Sequence, residues 1–316
     1  MNTFFSHRAC SILYHFVKCH PKGYYILPAN VCPVVPLTII KAGADVLFVD
    51  ISLDTLQIEL KDCISACQKQ NVVGIVVVAA YGNYTYSFEI IEAINNIRRD
   101  LIVIEDRCLC HPFDVSNSHP ATDLILFSTG YAKIIDLGYG GIGICNSLSL
   151  SEKLYYCSND YSQLEVLYKK AYLSESLLIG YEHLNWLDTT MLDEYDSQIL
   201  YEKITAKSTI ALEHKRKINE IYDYYLPNAI KLDKEYNSWR YNIIIPNSTS
   251  ILKKIFEKGL FASKHYQPAS SLFVKAKFTH TQYLYENIIN LFNDSYINEI
   301  QAKSICKIIN ENYDNI

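Results

Sequence analysis

Short, continuous apolar runs alternate with segments of helical periodicity along the first 145 residues of the chain. An apolar run without alternation is typical of a strand that is buried on both faces of a parallel sheet. Five runs predict strands. The first begins at Tyr24, and the others are Val46–Asp50, Val72–Ala79, Leu101–Ile104 and Leu124–Phe127. The segments that predict helices are Ser11–Cys19, Val34–Ala42, Asp54–Gln70 and Tyr86–Arg99. This alternation predicts right-handed βαβ units and an α/β fold.

The second half of the chain has a different pattern. Helical periodicity begins beyond Asn146 and continues to about Leu226, and Asp193–Tyr224 within it predicts one or two helices that join two domains. After it come a predicted strand and a predicted helix, Tyr241–Ile245 and Ser250–Lys258. We expect a large α/β domain over residues 1–205 and a small α+β domain over residues 206–316.

Composition narrows the possible functions. Of the 316 residues 49% are hydrophobic, and the formal net charge is -5 without a basic block, so a nucleic acid is not an expected partner. We expect no membrane span, because no window reaches the roughly 18 apolar residues that a span needs, and we expect no signal peptide. The ten cysteines are scattered, and Cys108–His111 has no second pair at metal-ligand spacing. We therefore expect free thiols in a reducing cytoplasm and no metal site.

A lysine and an acid each follow a predicted strand. Ser128 ends one strand, Lys133 follows it, and the glycine-rich run Gly138–Gly141 comes next, whereas Asp106 follows the preceding strand. Ligands of parallel sheets bind beyond the carboxyl ends of the strands. A lysine amine that forms a Schiff base and an acid that keeps a pyridine nitrogen protonated are what pyridoxal 5'-phosphate (PLP) requires. A surface lysine and a helix-capping aspartate remain the structural alternative.

This stretch resembles the DegT/DnrJ/EryC1/StrS family of sugar aminotransferases. In that family a serine, four further residues and the PLP lysine precede a glycine-rich turn, as do Ser128, Lys133 and Gly138–Gly141 here, although an acid usually stands where this chain has Tyr139. The likeness continues, with gaps, over most of the chain. It implies a fold-type-I PLP-dependent transferase whose large domain has a mixed, mostly parallel sheet covered by helices. It also implies that Lys133 and Asp106 are the catalytic residues.

The resemblance implies further contacts to the cofactor. In the family, a turn before the first helix grips the cofactor phosphate, and a turn after the next strand presents a side chain to the ring. The residues implied to bind PLP are Ser6, His7, Arg8, Ala9, Cys32, Asp106, Cys108, Ser128 and Lys133. For the first turn, an ordinary helix cap by the serine is the alternative.

The chain departs from the family pattern near several of these residues. His7 replaces a glycine, Asn30 stands at the usual tyrosine position, and Leu109 cannot donate the hydrogen bond that a glutamine would give to the ring hydroxyl. Arg107 is a further departure, which a position at the protein surface would explain.

Two other turns resemble the mouth of the family's active site. Tyr81 follows the predicted strand Val72–Ala79, and His265–Tyr266 lies in a segment like the family's His-Tyr-x-Pro. The resemblance implies substrate contacts from Tyr81, His265 and Tyr266, and a purely structural histidine stays open as the alternative. It also implies a nucleotide-linked keto sugar as substrate and an amino-acid donor, which in this family is glutamate. The implied setting is a homodimer that works in amino-sugar and surface-polysaccharide biosynthesis.

Two other functions fit the same sequence. The departures at His7, Asn30 and Leu109 favour, as one alternative, a PLP-fold protein that has lost transferase activity and acts as a partner or regulator. A plain α/β nucleotide-binding module without PLP is the second. A sugar dehydratase of the same family usually has histidine in place of the lysine, so the presence of Lys133 argues against that activity.

Overall fold

The computed structural model describes residues 1–265 and 267–313, and within them the chain forms one seven-stranded and one three-stranded sheet. The strands of the large sheet are β1 (Asn2–Ser6), β2 (Tyr24–Pro28), β3 (Asp45–Val49), β4 (Val72–Val78), β5 (Ile102–Asp106), β6 (Leu124–Ser128) and β7 (Gly141–Cys145). Their spatial order is β1-β7-β6-β5-β4-β2-β3. The pairs formed among β2 to β6 are parallel, and β7 pairs antiparallel with both β6 and β1. The predicted mixed, mostly parallel sheet is confirmed.

Helices cover both faces of this sheet. The helices of the first half are α1 (Ala9–Lys18), α2 (Val34–Lys41), α3 (Leu60–Cys67) and α4 (Ser87–Asn95). Ile12 of α1 and Leu37 of α2 lie in the core on one face, and Cys63 of α3 and Ile91 of α4 lie in the core on the other. Because both faces are covered, the central strands carry continuous apolar runs, which is the pattern that identified them in the sequence.

The sequence pattern does not predict β1 or β7. β7 reads Gly-Ile-Gly-Ile-Cys, which resembles a turn more than a strand. A Cβ atom on Gly143 would lie 2.6 Å from Cγ2 of Ile12. Glycine is needed inside this strand because α1 packs against it at close range.

The predicted helix Asp54–Gln70 is wrong over its first turns. α3 begins only at Leu60, and residues 51–59 form a turn closed by an antiparallel bridge between Ile51 and Ile58. Leu56 within this turn has a φ of 54°, which an α-helix does not permit. The apolar residues of this stretch therefore serve a tight turn, although their spacing also fits a helix.

The helical region between the two cores is shorter than predicted. It consists of α5 (Ser158–Leu173) and α6 (Glu194–Tyr225), with irregular chain before α5 and between the two helices. Leu200 and Ile204 of α6 pack in a core beneath the large sheet, and Ile218 and Tyr222 of the same helix pack in a second core. Residue 205, the predicted domain boundary, thus lies within α6, and the division into two domains stays a prediction.

The second core surrounds the small sheet. Its strands are β8 (Tyr241–Ile244), β9 (Ala262–Ser263) and β10 (Ile288–Leu291), and the accompanying helices are α7 (Ser248–Glu257), α8 (Thr279–Asn287) and α9 (Glu299–Tyr313). β10 is the middle strand and pairs antiparallel with both neighbours. In the described part of the chain, none of the helices has the length and apolar character to cross a membrane.

Arg107 is not at the surface. Its side chain is fully buried, and its Nε and Nη2 donate to Oε2 of Glu105 at 2.9 and 2.6 Å. Its Nη1 donates to the carbonyl oxygens of Asp114 and Ser116 at 2.8 and 2.7 Å, and the guanidinium lies 4.3 Å from the ring centre of Tyr84. Arg107 therefore holds the loop between β5 and β6 against the end of β5, where the catalytic aspartate is predicted.

Candidate active site

A pocket opens at the carboxyl ends of β4 and β5. Six of the predicted site residues line it, namely Cys32, Tyr81, Asp106, Cys108, Lys133 and His265. They come from five separate segments of the chain, and those that follow the parallel strands meet because such strands present their carboxyl ends at the same edge of the sheet.

Asp106 is the last residue of β5 and supplies the acid of the pocket. It is only 7% exposed, and its Oδ1 accepts the backbone N–H of Cys108 at 3.0 Å. Burial, and next the charge of Asp106, hold the pKa of the Cys108 thiol well above its usual range. Cys108 is therefore a neutral thiol in the wall of the pocket, and Asp106 is the group there that can carry negative charge.

Lys133 lies on a loop that is closed by hydrogen bonds between backbone groups of the loop itself. Thr129 N–H donates to Gly140 O at 3.0 Å, and Leu137 N–H donates to Thr129 O at 2.8 Å. Lys207 of α6 donates to the carbonyl oxygen of Asp136 at 2.9 Å. Residues 129–140 thus form a compact loop that is held from within and from α6.

The carboxylate of Asp136 organises the part of this loop next to Lys133. Its Oδ2 accepts the N–H of Ala132 at 2.8 Å, and its Oδ1 accepts the N–H of Gly138 at 2.9 Å. Ala132 has a φ of 58°, a left-handed conformation that costs a non-glycine residue about 1–2 kcal/mol. The surrounding contacts must hold this strain, because it orients the residue that immediately precedes Lys133.

The predicted phosphate turn lies beside the glycine run. Ser6 of β1 and Ser128 of β6 both pair with Gly141 of β7, one on each side. A Cβ atom on Gly141 would lie 2.2 Å from the N atom of Ala9, so only glycine allows this approach. Ser6 to Ala9 and Ser128 do not line the pocket itself, but the structure brings them together next to it.

Two details of this turn differ from the expected geometry. The N-cap of α1 is Arg8, without a side-chain cap, and the hydroxyl of Ser6 donates to Arg8 O at 2.7 Å, so the alternative of a serine cap is wrong. The N–H of His7 donates to Thr190 O at 3.3 Å and is engaged within the chain. The amides of Arg8 and Ala9 at the start of α1 are the better candidates to bind a phosphate.

The departures from the family pattern lie at the pocket as well. Asn30 and Leu109 both line it, next to Cys32 and Cys108. Neither Asn30 nor Leu109 provides an aromatic face for a cofactor ring. The rings that the pocket contains come from other positions.

Tyr81 and His265 meet edge-to-face in the pocket, with ring centres 5.4 Å apart. Tyr81 is 3% exposed and has a φ of 55°, so this turn is also strained. Burial, and after it the charges of Lys133 and Arg240, hold the pKa of His265 well below 6.5, so its imidazole is neutral near pH 7. The third predicted substrate residue, Tyr266, lies outside the described residues.

Sequence reasoning missed Trp239 and Arg240. The Trp239 ring lies 4.6 Å from that of His265, and its indole N–H donates to Ala132 O at 2.7 Å. The guanidinium of Arg240 lies over the ring of Phe292 at 3.8 Å and donates to the hydroxyl of Ser263. One signal could have drawn attention to Trp239, because the chain has only two tryptophans.

The residues present fit PLP. A primary amine, Lys133, and a buried carboxylate, Asp106, line one pocket, and a helix start with two glycines lies beside it. These groups match the aldehyde, the ring nitrogen and the phosphate of the cofactor. Together with the mixed sheet, they define a fold-type-I PLP-dependent transferase.

The sequence model of the DegT/DnrJ/EryC1/StrS aminotransferase family matches residues 7–310. The chain belongs to this family. The predicted family and enzyme class, a PLP-dependent sugar aminotransferase, are thereby confirmed, and its cofactor is PLP. No curated protein sequence matches the chain closely enough to count as a relative.

Solved structures show the same fold. The aminotransferase PseC of Helicobacter pylori, involved in the biosynthesis of pseudoaminic acid, is 15% identical with a TM-score of 0.73, over 100% of this chain and 88% of that chain. DesI with its TDP-sugar product is 13% identical with a TM-score of 0.73, over 98% and 80% of the two chains. A Streptococcus pneumoniae protein in its PLP form is 16% identical with a TM-score of 0.73, over 99% and 87%.

Proposed function

We propose that this enzyme moves an amino group from an amino acid, glutamate, to the keto group of a nucleotide-linked sugar. The observation that carries the proposal is the meeting of Lys133 and Asp106 in one pocket of a chain that belongs to an aminotransferase family. The sugar-nucleotide substrate is supported by DesI, which has this fold and was solved with a TDP-sugar product. The amino sugar would then enter polysaccharide biosynthesis.

In this proposal Lys133 and Asp106 divide the chemistry. When bound through a lysine amine, PLP supplies a pyridinium ring that withdraws electrons from the reacting carbon. Asp106, buried at the end of β5, would face the ring nitrogen, where its carboxylate would favour the protonated form. Lys133 would hold PLP through its amine, and the same amine, when free, would act as the base and acid that moves the proton at the substrate carbon in each half-reaction.

The remaining pocket residues orient the substrate and exclude water. Tyr81 and Trp239 are 3% and 4% exposed, and their rings flank the neutral imidazole of His265. A neutral imidazole both donates and accepts hydrogen bonds, as the hydroxyl groups of a sugar require. Cys32 and Cys108 add small side chains to the wall of the pocket, and Ser128 with Ser6 to Ala9 would hold the cofactor phosphate.

We further propose a cytoplasmic homodimer. The ten cysteines are all free thiols, which supports a reducing compartment. Large apolar side chains are exposed on α5 and the segments around it, with Tyr155, Leu173 and Ile179 exposed by 74%, 89% and 75%. A cluster of exposed apolar residues of this kind favours a subunit interface.

The experiment that tests the function is an absorbance spectrum of the purified protein with PLP, before and after addition of glutamate. We expect the band of bound PLP to convert to that of the aminated cofactor, and borohydride reduction before glutamate to place the pyridoxyl group on Lys133. The matched control is Lys133→Arg, which keeps the charge but should give neither result.

Each other outcome selects an alternative. PLP on Lys133 that glutamate does not convert would indicate a partner or regulator without transferase activity. The absence of any PLP band would favour the alternative of a nucleotide-binding module without PLP. A pyridoxyl group on another lysine would overturn the assignment of Lys133.

A further inference from the structure

One hydrogen bond connects the loop of the predicted PLP lysine with a distant part of the chain. The indole N–H of Trp239 donates to Ala132 O at 2.7 Å across 107 positions of sequence. Trp239 lies two residues before β8, the first strand of the small sheet, and it is 4% exposed. This short hydrogen bond has a buried donor and a partly buried acceptor, so it is more than a surface contact, and breaking it would leave the indole N–H without its partner.

The acceptor carbonyl belongs to the peptide bond that leads into Lys133. That peptide is planar, so fixing the direction of the Ala132 carbonyl also fixes the N–H and the Cα position of Lys133. Asp136 already holds the N–H of Ala132, and the indole adds a second contact, on its carbonyl, that keeps the strained left-handed conformation in place. The indole therefore acts at the point where the backbone sets the direction of the lysine side chain.

Trp239 is itself fixed by a buried ammonium group. Lys215 of α6 donates to Trp239 O at 2.8 Å and to Oδ1 of Asn293 at 2.7 Å. Burial lowers the pKa of Lys215 to about 8, opposed by Asp294 and reinforced by Arg240. The buried Lys215 makes both of these hydrogen bonds inside the protein, and one of them holds the backbone of Trp239.

We propose that Trp239 is a positioning residue for Lys133, and that its indole N–H holds the lysine in the direction required to bond with PLP. Lys215 supports it from behind. The proposal rests on the proposed function for the identity of the cofactor, but not for the contact itself. It concerns the N–H group and is separate from the packing of the ring against His265 and Tyr81.

The sharpest test replaces the N–H and nothing else. In a Trp186→Phe background Trp239 is the sole tryptophan, because the chain has two. Biosynthetic replacement of tryptophan by benzothienylalanine then puts sulfur in place of this one N–H with the ring shape kept. Affinity is measured for PLP and for pyridoxamine 5'-phosphate, which has no aldehyde and cannot bond with Lys133.

We expect the replacement to weaken the binding of PLP by up to about tenfold, the scale of one intramolecular hydrogen bond, and to leave the affinity for pyridoxamine 5'-phosphate unchanged. Equal losses of affinity for PLP and for pyridoxamine 5'-phosphate would indicate that Trp239 only lines the site. Equal PLP affinities of the parent and the substituted protein would show that the contact does not position Lys133. Either result overturns the proposal. Tyr236→Phe is the control, since it removes a partly buried hydrogen bond of 2.8 Å to Thr55 O from a side chain of the same apolar cluster.

Amide hydrogen exchange in the cofactor-free protein separates this proposal from the proposed function. Loss of the N–H should speed amide exchange in the loop of residues 130–138 and leave exchange in the strands of the large sheet unchanged. This result supports the proposal even if the parent protein fails to capture PLP, which would refute only the function. Unchanged exchange in this loop refutes the positioning role whatever the cofactor does. If the analogue does not fold, Trp239→Phe is measured in the same way.

Discussion

The Arg107→Met variant should unfold far more easily than the parent protein. Methionine fills much of the buried volume but makes none of the four hydrogen bonds that Arg107 gives to Glu105 and to the carbonyl oxygens of Asp114 and Ser116. The carboxylate of Glu105 is 1% exposed and would lose its counter-ion. A negative charge would then remain buried without its partner.

The expected loss in the free energy of unfolding is about 3–5 kcal/mol, the cost of removing one member of a buried ion pair. Oε1 of Glu105 still accepts from Ser118 at 2.7 Å and from Thr122 at 2.6 Å, which keeps part of its stabilisation. The carbonyl oxygens of Asp114 and Ser116, which are partly buried, lose their donor, and this adds to the destabilisation. Adding Glu105→Gln should recover part of the loss, because a neutral amide replaces the unpaired carboxylate.

The assay is urea unfolding followed by circular dichroism, with Arg216→Met as control. Arg216 pairs with Glu220 on α6, and both side chains are more than 60% exposed, so this variant should unfold at the parental urea concentration. A midpoint for Arg107→Met equal to that of the control would refute the reasoning, because it would mean that the buried pair contributes no more than a solvated one.

Three further results are expected. Asp106→Asn should still capture PLP on Lys133 but transfer amino groups far more slowly, because an amide cannot hold the ring nitrogen protonated; near-normal turnover contradicts this. Gly141→Ala should lower the melting temperature and weaken PLP, because its Cβ would meet the Ala9 backbone at 2.2 Å, whereas at Gly130 the nearest atom is 3.4 Å away and Gly130→Ala should be tolerated. Below pH 6.5 the unfolded chain protonates His265 and the folded chain does not, because burial lowers the pKa of this side chain, so the free energy of unfolding should decrease as the pH is lowered. The decrease should be smaller in His265→Gln, and identical slopes for the two proteins would refute this.

The parallel part of the fold could be predicted because its signal is local. A strand such as β4 is covered on both faces, so it must be apolar at nearly every position, and this shows in the sequence without knowledge of its neighbours. The positions of Asp106 and Lys133 at the ends of such strands follow from the same signal. Their meeting in one pocket then follows from the geometry of any parallel sheet.

Features that depend on a distant contact could not be predicted. The glycines of β7 resemble a turn until the approach of Ile12 is known. Arg107 resembles a surface residue because its partners on the loop before β6 are backbone carbonyl oxygens, which the sequence does not distinguish from any others. Trp239 lies more than a hundred residues from Ala132, and nothing near either residue in sequence indicates their hydrogen bond.

The course of α6 restricts which changes of length the chain can accept. Its 32 residues extend about 48 Å, and they contact the Lys133 loop through Lys207 and support Trp239 through Lys215. Each residue inserted or deleted between these two lysines would turn one of them by about 100° relative to the other. An insertion of seven residues would restore the direction but displace the contacts by about 10 Å. Homologous chains and engineered variants should therefore vary in length in the irregular segment 174–193 and keep the spacing from Lys207 to Lys215 fixed.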